Sequence, residues 1–300
     1  MNQPRSIDTV LGLSPPSADD MARRMVGLEE QFEAEHQAQT ARFEALRADQ
    51  RAKRDALGLT RPDDSAVRAL VEERRTALAA RPRRGLELPT PRLPRERIFT
   101  GSLGATRIPP FWWASSWQSI SGDGLAGGAG SDGGVLHVFA NENQSVGDFG
   151  FIGGPNSVSA RAWVGTYFQP PTKEGLLTVT ANPLVVFDYG DTCWMDGCST
   201  FGWIGLFIQE YDSHGAPSGA PVQQQNYLWS DASWWSGIGD NSGGTVVPLS
   251  TTLPVDNEHS YGLFVWCGVT ANQVGFGGYY YSLGWGEMNV IVPEITWHLF

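Results

Sequence analysis

The chain has 300 residues, with 21 Lys and Arg against 32 Asp and Glu, a net charge of -11, 36 Gly and 12 Trp. Residues 1–100 hold 18 of the 21 basic side chains and no Trp, whereas residues 101–300 hold 3 basic side chains and all 12 Trp. Because recognition of phosphates needs clustered Lys and Arg, the composition excludes nucleic acid as a partner of the second part, and its aromatic content excludes disorder there.

Residues 1–80 are predicted to form a helical hairpin. Ser17 to Asp20 match a capping box, and Ala, Glu, Arg and Gln predominate from there to Leu57. A turn and a second, shorter apolar stripe that ends before Pro82 predict the returning helix. Apolar side chains at heptad spacing are the predicted oligomerisation residues: Met21, Met25, Leu28, Phe32, Phe43 and Leu46.

The heptad stripe is interrupted at Glu35 or His36 and at Gln39, and it is too thin to stabilise a lone helix. We therefore expect copies of the chain to associate through it as a homo-oligomer, or the hairpin to pack on its own β-domain or on a partner protein. Residues 81–110, rich in Pro and Arg, are predicted to be an extended linker. This linker either docks on an acidic surface or is a solvated spacer.

Residues 111–300 are predicted to form an acidic, Gly- and Trp-rich, all-β sandwich that is jelly-roll-like, because apolar side chains alternate along short segments separated by turn residues. The whole chain is thus predicted to be an α+β multidomain protein, with a coiled-coil-like helical hairpin before the sandwich. A closed barrel is the alternative architecture. Ser121–Gly134 is expected to be a mobile glycine loop. The predicted strands are Val135–Ala140, Val158–Phe168, Leu176–Thr180, Leu184–Asp188, Trp203–Tyr211, Val222–Trp229, Thr245–Leu253, Ser260–Gly268, Gly278–Leu283 and Met288–Leu299.

The three cysteines leave the compartment open. Cys267 lies in an alternating segment and is expected to be a small core residue. Cys193 and Cys198 flank a predicted loop and would form a disulfide only in an oxidising compartment. The N-terminus lacks a basic, apolar leader, and no apolar run reaches the roughly 18 residues of a membrane helix. We expect a cytoplasmic protein without a transmembrane segment, or one exported by a route without a classical signal peptide.

Motifs for catalysis and cofactor binding are missing from the sequence. It has no G-x-S-x-G, no Walker A and no H-E-x-x-H motif, so we predict a non-enzymatic protein with no catalytic residues and no cofactor. Acidic segments supply oxygen ligands of the type that Ca²⁺ prefers, but none supplies the 6–8 oxygens of a calcium site. The weak calcium candidates are Asp188, Asp191, Asp240 and Asp256.

Aromatic doublets and triplets are the strongest functional signal. Consecutive strand residues point to opposite faces, so these rings cannot all be buried on one face. Exposed Trp and Tyr beside polar residues are typical of sugar-stacking or protein-binding surfaces. The candidate ligand-binding residues are Trp112, Trp113, Trp234, Trp235, Tyr279, Tyr280 and Tyr281.

These patterns predict a structural or binding protein that self-associates or docks through its helices and displays a β-sandwich for recognition. The alternative is a carbohydrate-binding, lectin-like or glycan-hydrolysing sandwich. A membrane-active toxin is a weaker alternative.

Overall fold

The computed structural model describes most of the chain from residue 97 onward and scattered residues before it. The described residues are 17, 19–20, 23–24, 30, 33–34, 37–38, 41, 45, 97–99, 103–121, 125–143, 156–171, 173–274 and 281–300. Within them, the backbone alone is described for residues 97–99, 103, 120–121, 125–129, 132, 141–143, 156, 191–198, 232–240, 273–274 and 281–283.

Antiparallel strands account for nearly all of the described backbone. Their bounds are β1 Arg97–Phe99, β2 Leu103–Arg107, β3 Trp113–Ser121, β4 Leu125–Asp132, β5 Val135–Asn143, β6 Asn156–Phe168, β7 Gly175–Ala181, β8 Leu184–Tyr211, β9 Val222–Val246, β10 Leu249–Val255, β11 Ser260–Val274, β12 Tyr281–Ile291 and β13 Ile295–Leu299. Strands β1 and β2 lie inside the range that the sequence assigned to a linker.

The predicted fold class, an α+β multidomain protein with an N-terminal helical hairpin, is wrong for the part of the chain that the structure describes. That part is nearly all β-sheet, with no helical hairpin. Described positions with helical backbone between 19 and 45 are 19–20, 23–24, 30, 33–34, 37–38, 41 and 45. From residue 97 onward the described chain forms strands and turns, because side chains that alternate with a period of two pack one face of a sheet into the core. The returning helix and the oligomerisation residues lie outside the described residues.

Three antiparallel sheets build the described fold. Sheet I has the strand order β1-β2-β13-β7-β10. The remaining strands are joined through the long strand β8, whose residues 197–211 pair with β11 and whose residues 184–194 pair with β12. We call β3, β6, β11 and residues 197–211 of β8 sheet II, and β4, β5, β12 and residues 184–194 of β8 sheet III. Strand β9 runs along the other edge of β8 through both sheets.

The inner faces of the three sheets enclose one apolar core, which makes the architecture sandwich-like. Val164 of β6, Val265 of β11, Val138 of β5, Met288 of β12 and Trp297 of β13 are all fully buried in it. Each alternates along its strand with residues on the opposite face, as the period of two requires. Cys267 is buried in this core as a free thiol, as predicted.

The β8–β9 hairpin departs from the sequence prediction. The segment between Cys193 and Cys198, predicted to be a loop, is part of β8, with a register shift between Trp194 and Gly197. The side chains of Cys193 and Cys198 lie outside the described part of the structure, so the bridge between them stays a prediction.

Other strand boundaries also needed correction. The predicted glycine loop Ser121–Gly134 is largely strand β4, joined to β5 by a tight turn at Gly133 and Gly134, whose φ angles are 50° and 92°. A two-residue hairpin turn of type I′ has positive φ at both central positions, which glycine adopts without strain. The predicted strand Met288–Leu299 is two strands, β12 and β13, in different sheets.

Among the helices of the described residues, none is long and apolar enough to span a membrane.

Candidate functional site

The structure describes two of the seven side chains of the predicted aromatic surface, Trp112 and Trp113. Trp113 is 3% exposed and stacks on Phe264 with ring centroids 4.7 Å apart, while Trp112 is half-buried beneath the Arg107 guanidinium at 4.5 Å. Trp234 and Trp235 lie in β9 and Tyr281 begins β12, where only the backbone is described. Tyr279 and Tyr280 lie outside the described residues.

The outer face of sheet II carries a second, buried aromatic cluster. We call it the covered aromatic face, and it consists of Trp113, Trp163, Trp203, Phe207, Tyr211, Phe264 and Trp266. Each of three rings lies over a glycine directly opposite on the neighbouring strand: Trp203 over Gly268, Trp266 over Gly205 and Phe264 over Gly165. A side chain at any of these glycines would overlap the ring, so this pairing explains why Trp and Gly are both abundant.

Buried Arg161 lies within the covered aromatic face. Its guanidinium carbon is 5.4 Å from the ring centroids of Trp117 and Trp203 and 5.5 Å from that of Trp266. Arg161 is 1% exposed. Cation–π attraction offsets part of the cost of removing this charge from water. The covered aromatic face is therefore a packed, cation-containing layer and has no free ring surface for a ligand.

The N-terminal part of the chain contacts the same face through Arg24. Its guanidinium lies 4.6 Å from the Tyr211 ring and 5.1 Å from the Tyr167 ring, and its Nη1 donates a 3.3 Å hydrogen bond to Ser260. Arg24 is 8% exposed. Burial raises the pKa of Tyr211, and the charge on Arg24 opposes that rise. The Arg24 side chain thus packs against rings of the chain's own β-sheets.

Half-buried side chains on the outer face of sheet III form the best candidate site. We call this surface the polar-aromatic face. The register of three neighbouring strands places its residues side by side: Phe139 of β5 lies opposite Glu287 of β12, and Glu287 lies opposite Asp188 of β8. All of its side chains are partly exposed, while the residues between them on β5 and β12 are buried in the core. Its members are His137, Phe139, Asp188, Trp285, Glu287 and Asn289.

Polar contacts organise this face. His137 Nε2 and Glu287 Oε1 lie 3.0 Å apart, with 41% and 27% of the two side chains exposed. The His137 ring also contacts Phe139, with centroids 5.7 Å apart. Carboxylate, imidazole and amide groups beside aromatic rings supply both hydrogen bonds and a flat apolar surface, the combination found in ligand sites.

Glycines leave the rim of the polar-aromatic face open. Gly130 of β4 lies opposite His137, and a Cβ placed on Gly130 would have no atom within 4 Å. At the opposite edge of the sheet, Gly244 of β9 lies opposite Val186 of β8. A Cβ on Gly244 would make only ordinary van der Waals contacts, at 3.5 Å and 3.8 Å. These two glycines therefore add no side chain of their own beside the face.

A buried aromatic stack supports Trp285 from beneath the sheet. Trp229 lies parallel to Tyr189, with centroids 4.9 Å apart at 2°, and its Nε1 donates a 3.2 Å hydrogen bond to Thr200. The Thr200 hydroxyl in turn donates to the carbonyl oxygen of Trp285 at 3.4 Å. A Cβ on Gly286 would approach Trp229 to 2.9 Å. These contacts fix the backbone that carries the Trp285 ring.

A separate titratable cluster lies at the β10–β11 turn. His259 Nδ1 is 2.8 Å from Asp256 Oδ1, and His259 Nε2 is 3.7 Å from Glu210 Oε1. The hydrogen bond with Asp256 raises the pKa of His259, against a smaller effect of burial. Burial opposes ionisation of Asp256, but hydrogen bonds from His259 and Glu258 outweigh it and lower the pKa. Burial raises the pKa of neighbouring Tyr261 to about 12.

The structure describes the side chains of two of the four calcium candidates, and they belong to different parts of the fold. Asp188 lies in β8, whereas Asp256 caps the β10–β11 turn by accepting hydrogen bonds from the Glu258 and His259 amides. The described residues contain no cluster of three His, Cys, Asp or Glu side chains arranged to hold a metal. Of the four, only Asp188 belongs to the polar-aromatic face.

The sequence prediction missed five members of this face: His137, Phe139, Trp285, Glu287 and Asn289. The sequence carried a signal for two of them, because His137 alternates with apolar residues of the predicted strand Val135–Ala140 and Asn289 with those of Met288–Leu299. Their convergence depends on the pairing of strands about 150 residues apart.

Comparison with known proteins found no matching family model and no matching curated protein. The enzymatically active domain of tailspike protein 4 from bacteriophage CBA120 is 8% identical over 62% of this chain, with a TM-score of 0.17, and the chain spans 19% of that protein. TmCBM61 in complex with beta-1,4-galactotriose is 11% identical over 61% of this chain and 87% of its own, with a TM-score of 0.15. A structure from infectious bursal disease virus Gx strain is 12% identical over 68% and 62%, with a TM-score of 0.14. At these scores the likeness identifies no shared fold.

Proposed function

We propose that this protein is a carbohydrate-binding β-sandwich and that the polar-aromatic face is its glycan site. The supporting observation is that aromatic and polar side chains, all partly exposed, lie on the same face of sheet III. The aromatic residues are Phe139 and Trp285, and the polar ones are His137, Asp188 and Glu287. Sugars present apolar C–H faces and a ring of hydroxyl groups. The aromatic rings match the former, and carboxylate, imidazole and amide groups match the latter.

Placement on strands strengthens the proposal. Sites built on sheet residues hold their side chains more precisely than sites on loops, so less entropy is lost when a ligand binds. The Trp229 stack and the Thr200 hydrogen bond hold the backbone of Trp285 before any ligand arrives. The rings of the covered aromatic face, in contrast, are buried.

The experiment is a glycan-array screen of the full chain, followed by calorimetry on the best neutral hit. Trp285→Ala and Phe139→Ala should each weaken that hit about tenfold, since loss of about 1.4 kcal/mol of contact energy is tenfold in affinity. Tyr227→Ala is the matched control, because Tyr227 is 64% exposed in β9 and lies outside this face. Absence of any hit, or equal binding by all three variants, would overturn the proposal.

Hydrolysis of the bound glycan is a second candidate, favoured by one observation. Asp188 and Glu287 lie directly opposite each other on neighbouring strands, so both carboxyl groups belong to one face of the sheet. Most glycosidases use a pair of Asp or Glu side chains that flank the bond to be cleaved. Release of reducing ends by the wild type, lost in Glu287→Gln, would support it. Binding without release leaves recognition as the whole function.

A further inference from the structure

We infer that sheet II and the turn after β8 form a binding site for the guanidinium group of an arginine side chain, which Arg24 of the same chain fills in this structure. We call it the guanidinium site, and it consists of Tyr167, Tyr211, Gly215 and Ser260. Its ligand class is the alkylguanidinium ion, and alkylammonium ions are rejected. The site lies on a different sheet from the polar-aromatic face, so the inference is independent of glycan binding.

Strand pairing places the walls of the guanidinium site side by side. Tyr211 at the end of β8 lies opposite Ser260 at the start of β11, and Gly262 of β11 lies opposite Tyr167 of β6. The Trp113 ring makes edge contacts with both tyrosines, with centroids 6.1 Å from Tyr211 and 6.5 Å from Tyr167. Trp113 therefore supports the two rings through contacts that do not involve Arg24.

A tight turn after β8 closes the site from another side. The carbonyl oxygen of Asp212 accepts a 3.0 Å hydrogen bond from the Gly215 amide, and its carboxylate accepts one of 2.8 Å from the Ala216 amide. Gly215 has a φ of 80°, which glycine adopts without strain. A Cβ on Gly215 would lie 3.3 Å from Nε and Nη2 of Arg24, so the absence of a side chain here leaves room for the guanidinium.

The contacts of Arg24 favour a guanidinium over an ammonium group. The guanidinium carbon lies 4.6 Å and 5.1 Å from the two tyrosine ring centroids, and Nη1 donates to the Ser260 hydroxyl. A guanidinium is planar and weakly hydrated, so it stacks on rings and leaves water at low cost. An ammonium is a compact, strongly hydrated charge, and rings with one hydroxyl replace less of its hydration. Burial of Arg24 to 8% exposure therefore selects the guanidinium.

One acceptor at the site is unused. The Tyr211 hydroxyl is fully buried, and neither it nor Arg24 Nε has a hydrogen-bond partner among the described residues. A guanidinium from solution is not restrained by a backbone at residue 24 and is free to turn toward such an acceptor. Because Arg24 is tethered to the site by its own chain, its effective concentration is high and a dissolved ligand competes poorly with it. Removing Arg24 should therefore open the site.

The test removes Arg24 and supplies its side chain from solution. Arg24→Ala in the full chain is unfolded in urea with increasing N-acetyl-arginine amide or, separately, N-acetyl-lysine amide at equal ionic strength. A ligand that binds only the folded state at ten times its Kd raises the ratio of folded to unfolded protein about tenfold. The arginine compound should give this saturable rise in the urea midpoint, and the lysine compound should not.

Matched variants locate the response. Arg23→Ala is the control, because the neighbouring Arg23 side chain is 69% exposed and pairs with Asp20. In this variant and in the wild type Arg24 fills the site, so the arginine compound should leave the urea midpoint unchanged. Arg24→Lys should respond as Arg24→Ala does. Adding Tyr167→Leu to Arg24→Ala should remove the response, whereas Tyr167→Phe, which keeps a ring, should retain it.

Each contrary result overturns a stated part of the inference. An equal response to both compounds would overturn selectivity for guanidinium. The same rise in the wild type or in Arg23→Ala, or a rise that persists with Tyr167→Leu, would place binding elsewhere. No rise in Arg24→Ala would reduce Arg24 to a packing residue. If Arg24→Ala is unfolded without urea, the arginine compound should restore the circular dichroism of the folded sheets, and failure of this rescue would equally overturn the site.

Discussion

Replacing Gly202 by Ala would insert a methyl group into the aromatic stack beneath sheet III. A Cβ at this position would overlap ring atoms Cε3, Cζ3 and Cη2 of Trp229, which lies directly opposite in β9. The ring cannot easily move aside. It is parallel to Tyr189 at 4.9 Å, stacked on Phe187 at 5.4 Å and hydrogen-bonded to Thr200.

The expected loss follows from these restraints. Overpacking a filled core costs about 1–3 kcal/mol, and displacing Trp229 would also weaken its stacking by about 0.5–1.5 kcal/mol per ring pair. Loss of the hydrogen bond to Thr200 adds about 1 kcal/mol. We expect the free energy of unfolding to fall by about 3 kcal/mol, a large part of the roughly 5–15 kcal/mol of a typical domain.

Urea unfolding followed by tryptophan fluorescence measures this loss, with an unchanged m-value as the sign that the unfolded state is unaffected. Gly130→Ala is the matched control, because no atom lies within 4 Å of the added methyl group. It should be neutral or stabilise by up to about 1 kcal/mol. A Gly202→Ala protein within about 0.5 kcal/mol of wild type, or one no less stable than the control, would refute the packing argument.

Three further predictions concern other parts of the fold. Arg24→Ala should lower the free energy of unfolding by about 1–2 kcal/mol through the lost ring contacts and hydrogen bond, and unchanged urea midpoints would contradict this contribution. Because the folded pKa of His259 is raised, its stabilising contribution is complete below the unfolded value near 6.5 and disappears as pH rises through the folded value. His259→Gln should therefore remove part of the stability difference between mildly acidic and alkaline urea melts, and identical pH profiles would exclude this linkage. Burial raises the pKa of the Cys267 thiol, so in a variant lacking both β8 cysteines it should react with a thiol reagent only after denaturation, and rapid labelling of the native protein would contradict its place in the core.

Local patterning was enough for much of the sandwich. Period-two alternation in Val158–Phe168 and Ser260–Gly268 predicted β6 and β11, because burial of one sheet face imposes that period on the residues themselves. The pattern of alternation predicted the ends of the strands less accurately. Thr245–Leu253 was predicted as one strand, but the chain leaves β9 at Val246 and enters β10 of another sheet at Leu249.

Long-range register decided which residues share a face. The aromatic doublets predicted that some rings are exposed. The sequence did not show which ring of a doublet is buried: Trp113 stacks on Phe264, about 150 residues later in the chain. No local signal marks Asp188 as the partner of Glu287, since that pairing depends on the register of β8 against β12.

The sequence by itself determined the β character of the described part of residues 111–300, the burial of Cys267 and the shortage of basic side chains after residue 100. Each of these depends on composition or on near neighbours in the chain. The tertiary structure alone decided that Trp203 covers Gly268, that Arg24 reaches Tyr211 and that the polar-aromatic face exists. Such features require particular strands to pair in one register, and that choice is made by the packing of the whole core.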